Sequence, residues 1–273
     1  MFHALLNLFI PRLCPLCGKR MEDDDVLLCS DCFSQYRMNG LFRDSYENSM
    51  AKNMLGHIYI ERANALFLFR PHGGLAPLIY SMKYKLRPDI GILFGRLAGE
   101  VLQGKGFFDG IDCIVPVPLT RRRKWSRGYN QSEMFAKGVS EITGIPVATD
   151  VVARKKFQKS QTRLKRWDRR ANVEDAFIGI KAERTVGKHV LLVDDVFTTG
   201  ATMAACAKAF AGDFMKKDSG YGKTKVSLLS IGYAGDLTME EEVSMHALDY
   251  FNSDYPDDLD YLINFAGPNK ADK

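Results

Sequence analysis

No stretch of this 273-residue chain is apolar for long enough to cross a membrane, since a helical span takes about 20 consecutive apolar residues. The opening MFHALLNLFIPRLC lacks the basic flank and the small-residue cleavage site of a secretory leader. That segment is expected to pack on its neighbours, and the expected location is the cytoplasm. Internal repeats are absent. Cysteine is scarce outside one cluster: four of the six stand at Cys14, Cys17, Cys29 and Cys32. Cys113 and Cys206 lie in apolar or alanine-rich surroundings and are expected as small core residues. What is present is 46% apolar and 26% charged, the balance of an ordinary soluble globular protein.

Charge is unevenly spread. Residues 236–273 hold ten acidic side chains against two lysines, which leaves 36 basic and 23 acidic on the first 235 residues, a surplus of 13. A basic body suits phosphates or nucleic acid. A solvated surface with an acidic tail explains the same numbers.

The four clustered cysteines form C-x2-C, eleven residues, C-x2-C, in CPLCGKRMEDDDVLLCSDC. Each pair aims two thiolates at one ion from a tight turn, and two such turns complete the tetrahedral shell that zinc prefers. Four cysteines leave no open position, so the expected Zn2+ is structural, in a zinc-ribbon-like module. Two disulfides or a redox pair are the alternatives, and a cytoplasmic chain disfavours disulfides.

Beyond a polar stretch at 44–53 the pattern becomes α/β. Strands are expected at 62–69, 112–118, 146–155, in AFIGI, in HVLLVDDV and at 225–234. Helices are expected at 75–86, 88–104, 130–144 and 200–212. Alternation of this kind predicts a mostly parallel sheet with helices on both faces. The expected division is a zinc module and connector over 1–60, an α/β domain over 61–235, and an acidic tail over 236–273.

The run VLLVDDVFTTGAT, residues 190–202, carries the chemistry. Ligands of such sheets bind beyond the carboxyl ends of the strands, which is where Asp194 and Asp195 fall. The backbone N–H groups of a helix start, with threonine hydroxyls beside them, make a phosphate cradle. Gly200 lets the backbone approach the anion. Carboxylates touching a phosphate would repel it. They make sense on the hydroxyls of a sugar whose 5′-phosphate lies in the cradle, directly or through Mg2+. An Asp pair that merely caps a helix would use one Asp or Thr and leave the rest of the run unexplained.

VLLVDDVFTTGAT resembles the phosphoribosyl pyrophosphate (PRPP) motif of type I phosphoribosyltransferases. The order CPLCG…CSDC, LIYSMKYK, VPVPLTRRRKWSRGYNQSEMFA, KSQTRLKRWDRRANVEDAF, VLLVDDVFTTGAT resembles the ComF/GntX family of competence-associated, phosphoribosyltransferase-like proteins. The resemblance runs from Cys14 to Ala234. It implies a type I phosphoribosyltransferase-like fold behind a four-cysteine zinc finger. It implies that Asp194 and Asp195 hold ribose hydroxyls and that Thr198, Thr199, Gly200, Ala201 and Thr202 wrap the 5′-phosphate. It makes PVPLTRRRKWSRGYNQ the pyrophosphate loop, with Arg121, Arg127 and Gly128 as candidates, because guanidinium forks suit pyrophosphate oxygens. It makes residues 154–173 the flexible loop that closes over the ligand, with Gln161, Thr162 and Arg169 as candidates. Phe157 and Trp167 in that basic stretch also suit a nucleic-acid track, and Trp167 equally suits a packing anchor. Lys83 stands where it can reach an anion, and Tyr84 is expected as a core or interface aromatic.

A glutamine amidophosphoribosyltransferase is not expected, because it needs an N-terminal cysteine nucleophile and a glutaminase domain, and this sequence opens Met1-Phe2-His3 with its first cysteines expected on metal. The functions left open are a PRPP-binding ComF-type factor in DNA uptake or processing, an active phosphoribosyltransferase with an unnamed acceptor, and a single-stranded-DNA-binding or PRPP-sensing protein without turnover. The partners these imply are PRPP, single-stranded DNA and DNA-uptake or recombination proteins. No catalytic general base is named by the sequence.

Overall fold

The computed structural model describes residues 13, 14, 17–22, 28–32, 41–71, 75–155, 176–212 and 223–242. In chain order the elements are α1 (Ser49–Lys52), β1 (Arg62–Leu68), α2 (Ala76–Tyr84), α3 (Pro88–Gln103), β2 (Cys113–Pro116), α4 (Arg121–Arg127), α5 (Gln131–Thr143), β3 (Val152–Arg154), β4 (Phe177–Gly179), a 3-10 turn (Ala182–Thr185), β5 (His189–Phe197), α6 (Ala201–Ala211) and β6 (Lys225–Tyr233). The chain divides into two compact units, Met1–Asp236 and Leu237–Lys273.

In the first unit, four strands pair in the order β1-β6-β5-β2, and every pair is parallel. Near-continuous apolar runs are what parallel strands covered on both faces require, and IVPV, VLLV and VSLLSI meet that need. Strand residues alternate between the two faces. One face sets Ile114, Leu191, Val193, Leu229 and Ile231 in a single core with Phe94, Leu97, Ala98, Phe135 and Val139 of α3 and α5. Helix α6 lies against β5 and β6 and against the small antiparallel pair β3–β4. With all four strands running one way, their carboxyl ends share one edge.

The α3–α5 contact is unusually intimate. A Cβ on Gly95 would run into the Phe135 carbonyl oxygen, and one on Gly138 into that of Ile92. The two backbones touch, and only glycine leaves the room. Burial and this seam together fix α5, whose first turn faces the end of β5.

One expectation needs correction, and one stretch holds an element that the pattern did not show. The expected strand over 146–155 is split: Val147 makes one parallel bridge to Ile114, and the strand proper is the short β3, turned antiparallel to β4. A proline at 146 and the turn at 149–151 interrupt the run that apolar pattern alone joined. The stretch expected as a pyrophosphate loop contains the helix α4. Thr120 caps it, accepting the Arg123 N–H at 3.3 Å, and Gly128 ends it in the left-handed region at φ 72°.

In the second unit, Thr238 and Glu241 exchange a reciprocal pair of hydrogen bonds, 2.7 and 3.3 Å, the capping box of a helix start. Among the described residues no helix is long and apolar enough to cross a membrane.

Candidate functional site

At the carboxyl end of β5 the strand still holds its register through Asp194 and on to Phe197, so Asp194 and Asp195 project to opposite faces. Each meets a different partner. The Ser132 hydroxyl, in the first turn of α5, donates to Asp194 Oδ1 at 2.8 Å, and the Asp195 N–H donates to the same oxygen at 2.9 Å. Asp195 pairs with Lys83 of α2, Nζ to Oδ1 3.0 Å, with the two side chains 15% and 20% exposed respectively. Helix α2 thereby meets the site through Lys83, a contact that the sequence did not decide.

The two carboxyls do not ionise alike. Burial first, and the neighbouring Asp195 second, push Asp194 up to about 7, against the opposing pull of Ser132, the Asp195 N–H and Lys83. Asp194 is therefore a carboxyl that holds its proton close to neutral pH.

The turn after β5 is built for close approach. Thr198 and Thr199 are exposed, and Gly200 is buried at φ 76°. A Cβ at Gly200 would meet the Phe197 ring at 2.7 Å and Met54 Sδ at 2.8 Å, so both the backbone angle and the space demand glycine. Helix α6 begins at Ala201 with Gly200 as N-cap and no side-chain hydrogen bond to its first turn. The first-turn N–H groups, those of Ala201 and Thr202 among them, are directed at whatever sits over the turn.

On the other side of β5, the segment from β2 to α5 is knitted from within. Asn130 Nδ2 donates to the Val117 carbonyl at 3.0 Å, and Arg127 Nη1 donates to Gln131 Oε1 at 3.0 Å. Asn130 Oδ1 and Gln131 Nε2 are buried and find no partner among the described residues. Arg127 and Gly128 thus stand at the foot of α5, the helix whose Ser132 donates to Asp194. Arg121 stands at the far end of α4, exposed. Tyr84 is not a core residue: it is 70% exposed, with the Arg127 guanidinium 5.2 Å from its ring centre. Gln161, Thr162 and Arg169, with Phe157 and Trp167, lie outside the described residues.

One neighbour was missed. Arg154, at the end of β3, lies over the Phe177 ring at 5.1 Å, and its Nε is buried without a partner among the described residues. Burial, then repulsion from Arg123, lowers its pKa, while Asp194 draws it up. An arginine ending a short strand carries no sequence mark of that placement. Cys206 of α6 is fully buried, and burial raises its thiol well above the ordinary value; Cys113 is buried too, as expected of core cysteines.

The second cluster is the four cysteines. Their sulfur atoms all lie within 4.8 Å of one another, with Cys17 Sγ 3.5 Å from Cys29 Sγ. Ligand sulfurs about 2.3 Å from a tetrahedral ion stand about 3.8 Å apart, so the set fits one metal. All four are free thiols, three of them buried. Burial and the other three thiols drive the Cys32 thiol strongly upward, a cost that a bound cation reverses by taking thiolates. The Cys14 N–H donates to Lys19 O at 2.7 Å, and Leu13 bridges antiparallel to Arg20, which closes the first turn as a small hairpin. Lys19 reaches across to Asp31 at 2.7 Å and ties the first turn to the second.

No family model matches the chain. It is 36% identical over 139 residues to the DNA utilization protein YhgH of Escherichia coli, covering 49% of this chain and 60% of that one. It is 38% identical over 98 residues to competence protein F of Haemophilus influenzae, 36% of this chain and 43% of that one. With competence protein ComFC of Bacillus subtilis it shares 26% identity over 204 residues, 72% and 70% of the two chains. The match to YhgH thus spans three fifths of that relative's length. Among solved structures, an adenine phosphoribosyltransferase aligns at 13% identity over 68% of this chain and 99% of its own, with a TM-score of 0.33, a likeness too loose to carry an argument. The named relatives support the ComF family, as the motif order suggested.

Proposed function

We propose that this chain, similar to the ComF proteins, binds PRPP at the carboxyl edge of its sheet and serves as a factor in DNA uptake or DNA processing. One observation carries the ligand reading. An Asp pair ends a buried strand and runs straight into an uncapped helix start through a turn that only Gly200 can make. The cradle of Thr198, Thr199, Gly200, Ala201 and Thr202 takes the 5′-phosphate, as backbone N–H groups and hydroxyls take anions. Asp194 and Asp195 accept the ribose hydroxyls, directly or through Mg2+, whose hard-ion preference for carboxylate and phosphate oxygen they suit. Lys83 then has to yield Asp195 to the sugar or share it. Arg121, Arg127 and Gly128 are the candidates for the pyrophosphate, and Gln161, Thr162 and Arg169 are the candidates for closure.

The four cysteines hold Zn2+ as a structural ion. The metal supplies folding free energy to a segment too short to build its own core.

The names of the relatives, DNA utilization protein and competence protein, support a DNA-handling role, for which single-stranded DNA is the partner we propose. If the protein is also a phosphoribosyltransferase, it releases pyrophosphate in the presence of its acceptor. The test is calorimetric titration with PRPP and Mg2+. Wild type should bind. The double variant Asp194→Asn, Asp195→Asn should keep its fold by circular dichroism and lose binding by more than tenfold. Binding that survives the double change would sink the ribose assignment.

A further inference from the structure

The helix α4, RRRKWSR, has no buried residue. Seven residues is below the length at which a helix holds itself in water, and this one carries five cations: Arg121, Arg122, Arg123, Lys124 and Arg127. Arg121 with Lys124, Lys124 with Arg127, and Arg123 with Arg127 fall three or four apart, where like charges repel. Among the described residues its one ion pair is Lys124 with Glu133 at 3.5 Å. What keeps it helical is the Thr120 cap and the Gly128 stop, not packing. In the middle sits Trp125, 88% exposed. A tryptophan is a side chain that folding ordinarily buries. Trp125 follows Arg121 and Arg122 by four and three residues, so an indole and two guanidinium groups share one face.

We infer that this face of α4 is a docking surface for single-stranded nucleic acid, with Trp125 stacking on a base and Arg121 and Arg122 on the flanking phosphates. An exposed aromatic among cations is the combination that tracks an unpaired strand, since every base offers a π-face and every linkage a charge. A duplex hides its base faces, and an acidic peptide gives an indole no aromatic plane to stack on. A polyanion also relieves the repulsion that α4 carries alone. The inference rests on the DNA-handling reading above and names the surface that reading lacks. It places the strand beside the PRPP site, because α4 leads directly through Arg127 and Gln131 into the turn of α5 that holds Asp194.

The test uses the full zinc-loaded chain with Trp167→Phe, which leaves Trp125 as the sole tryptophan of the two. Its fluorescence is followed while oligo-deoxythymidylate of about fifteen nucleotides is added, with a matched duplex and polyglutamate in parallel. Quenching by the single strand at much lower concentration than by the other two is the expected result. Trp125→Ala should weaken single-strand binding by roughly tenfold. Arg122→Glu should flatten the slope of log affinity on log salt by about 0.7 or more, the share of one phosphate contact. If the oligonucleotide binds while Trp125 stays unquenched and Trp125→Ala is neutral, the surface is wrong and the DNA reading stands. If no oligonucleotide binds even to the chain with Trp167 intact, both fall and the PRPP reading is untouched. Equal quenching by duplex or by polyglutamate overturns the stacking argument.

Discussion

Replacing Asp194 by asparagine should stabilise the ligand-free protein above neutral pH while weakening the ligand. In the unfolded chain the carboxyl ionises near 3.8; in the folded chain burial and Asp195 hold it to about 7. Between those values the folded state binds more proton than the unfolded one, so stability falls as pH rises through the window and is lowest above it. At about 1.36 kcal/mol per decade of proton affinity, the full shift amounts to about 4 kcal/mol at pH 8. Asp194 is only partly buried, and solvent at its open side screens part of that, which brings the expected gain to roughly 1–3 kcal/mol. Asparagine keeps an oxygen for the Ser132 hydroxyl and the Asp195 N–H, so the local bonds survive the change. Urea unfolding of both proteins at pH 5 and pH 8 measures it. The variant should gain most at pH 8 and somewhat less than half as much at pH 5, which already lies above the unfolded value of 3.8. Equal loss at both pH values would show that the carboxylate is not strained and would remove the electrostatic account of this site.

Removing the metal from the cysteine cluster with a thiol-competent chelator should release one zinc per chain and loosen residues 13–32, read by proteolysis of that segment; fresh protein free of zinc would refute the assignment. Gly138→Ala should destabilise by about 3 kcal/mol or more, because its Cβ meets the Ile92 carbonyl rather than a side chain that can turn aside; a thermal midpoint indistinguishable from wild type would show that the α3–α5 seam has slack.

Much of the fold was legible because its strands are buried on both sides and its helices alternate with them. HVLLVDDV and KVSLLSIGY are apolar runs that end in turn residues, and α3 and α5 fell within a residue or two of their expected spans. The candidate cradle was legible for a related reason: its residues are contiguous, and one glycine in a fixed place marks the turn. What escaped depends on neighbours far off in the chain. Nothing in VVARK places Arg154 near Asp194, 40 residues away. Nor does SMKYK say that Lys83 finds Asp195 while Tyr84, the next residue, is left in solvent. Helix α4 escaped because helix-forming residues without an apolar face look like a loop, and the cap and stop that hold it, Thr120 and Gly128, also occur in loops.

The ion pair between Lys83 and Asp195 also changes what the end of β5 presents to an anion. Two adjacent aspartates would be a repulsive floor under any phosphate. With an ammonium 3.0 Å from one and a proton retained by the other to about pH 7, the trio is close to electrically silent. On the proposed reading a multiply charged sugar phosphate would then approach a nearly neutral base with Arg154 near Asp194, and the pair would act on it by hydrogen bonds at short range. The acids can sit side by side because each is neutralised differently, Asp195 by Lys83 of α2 and Asp194 by the proton that its burial and Asp195 retain.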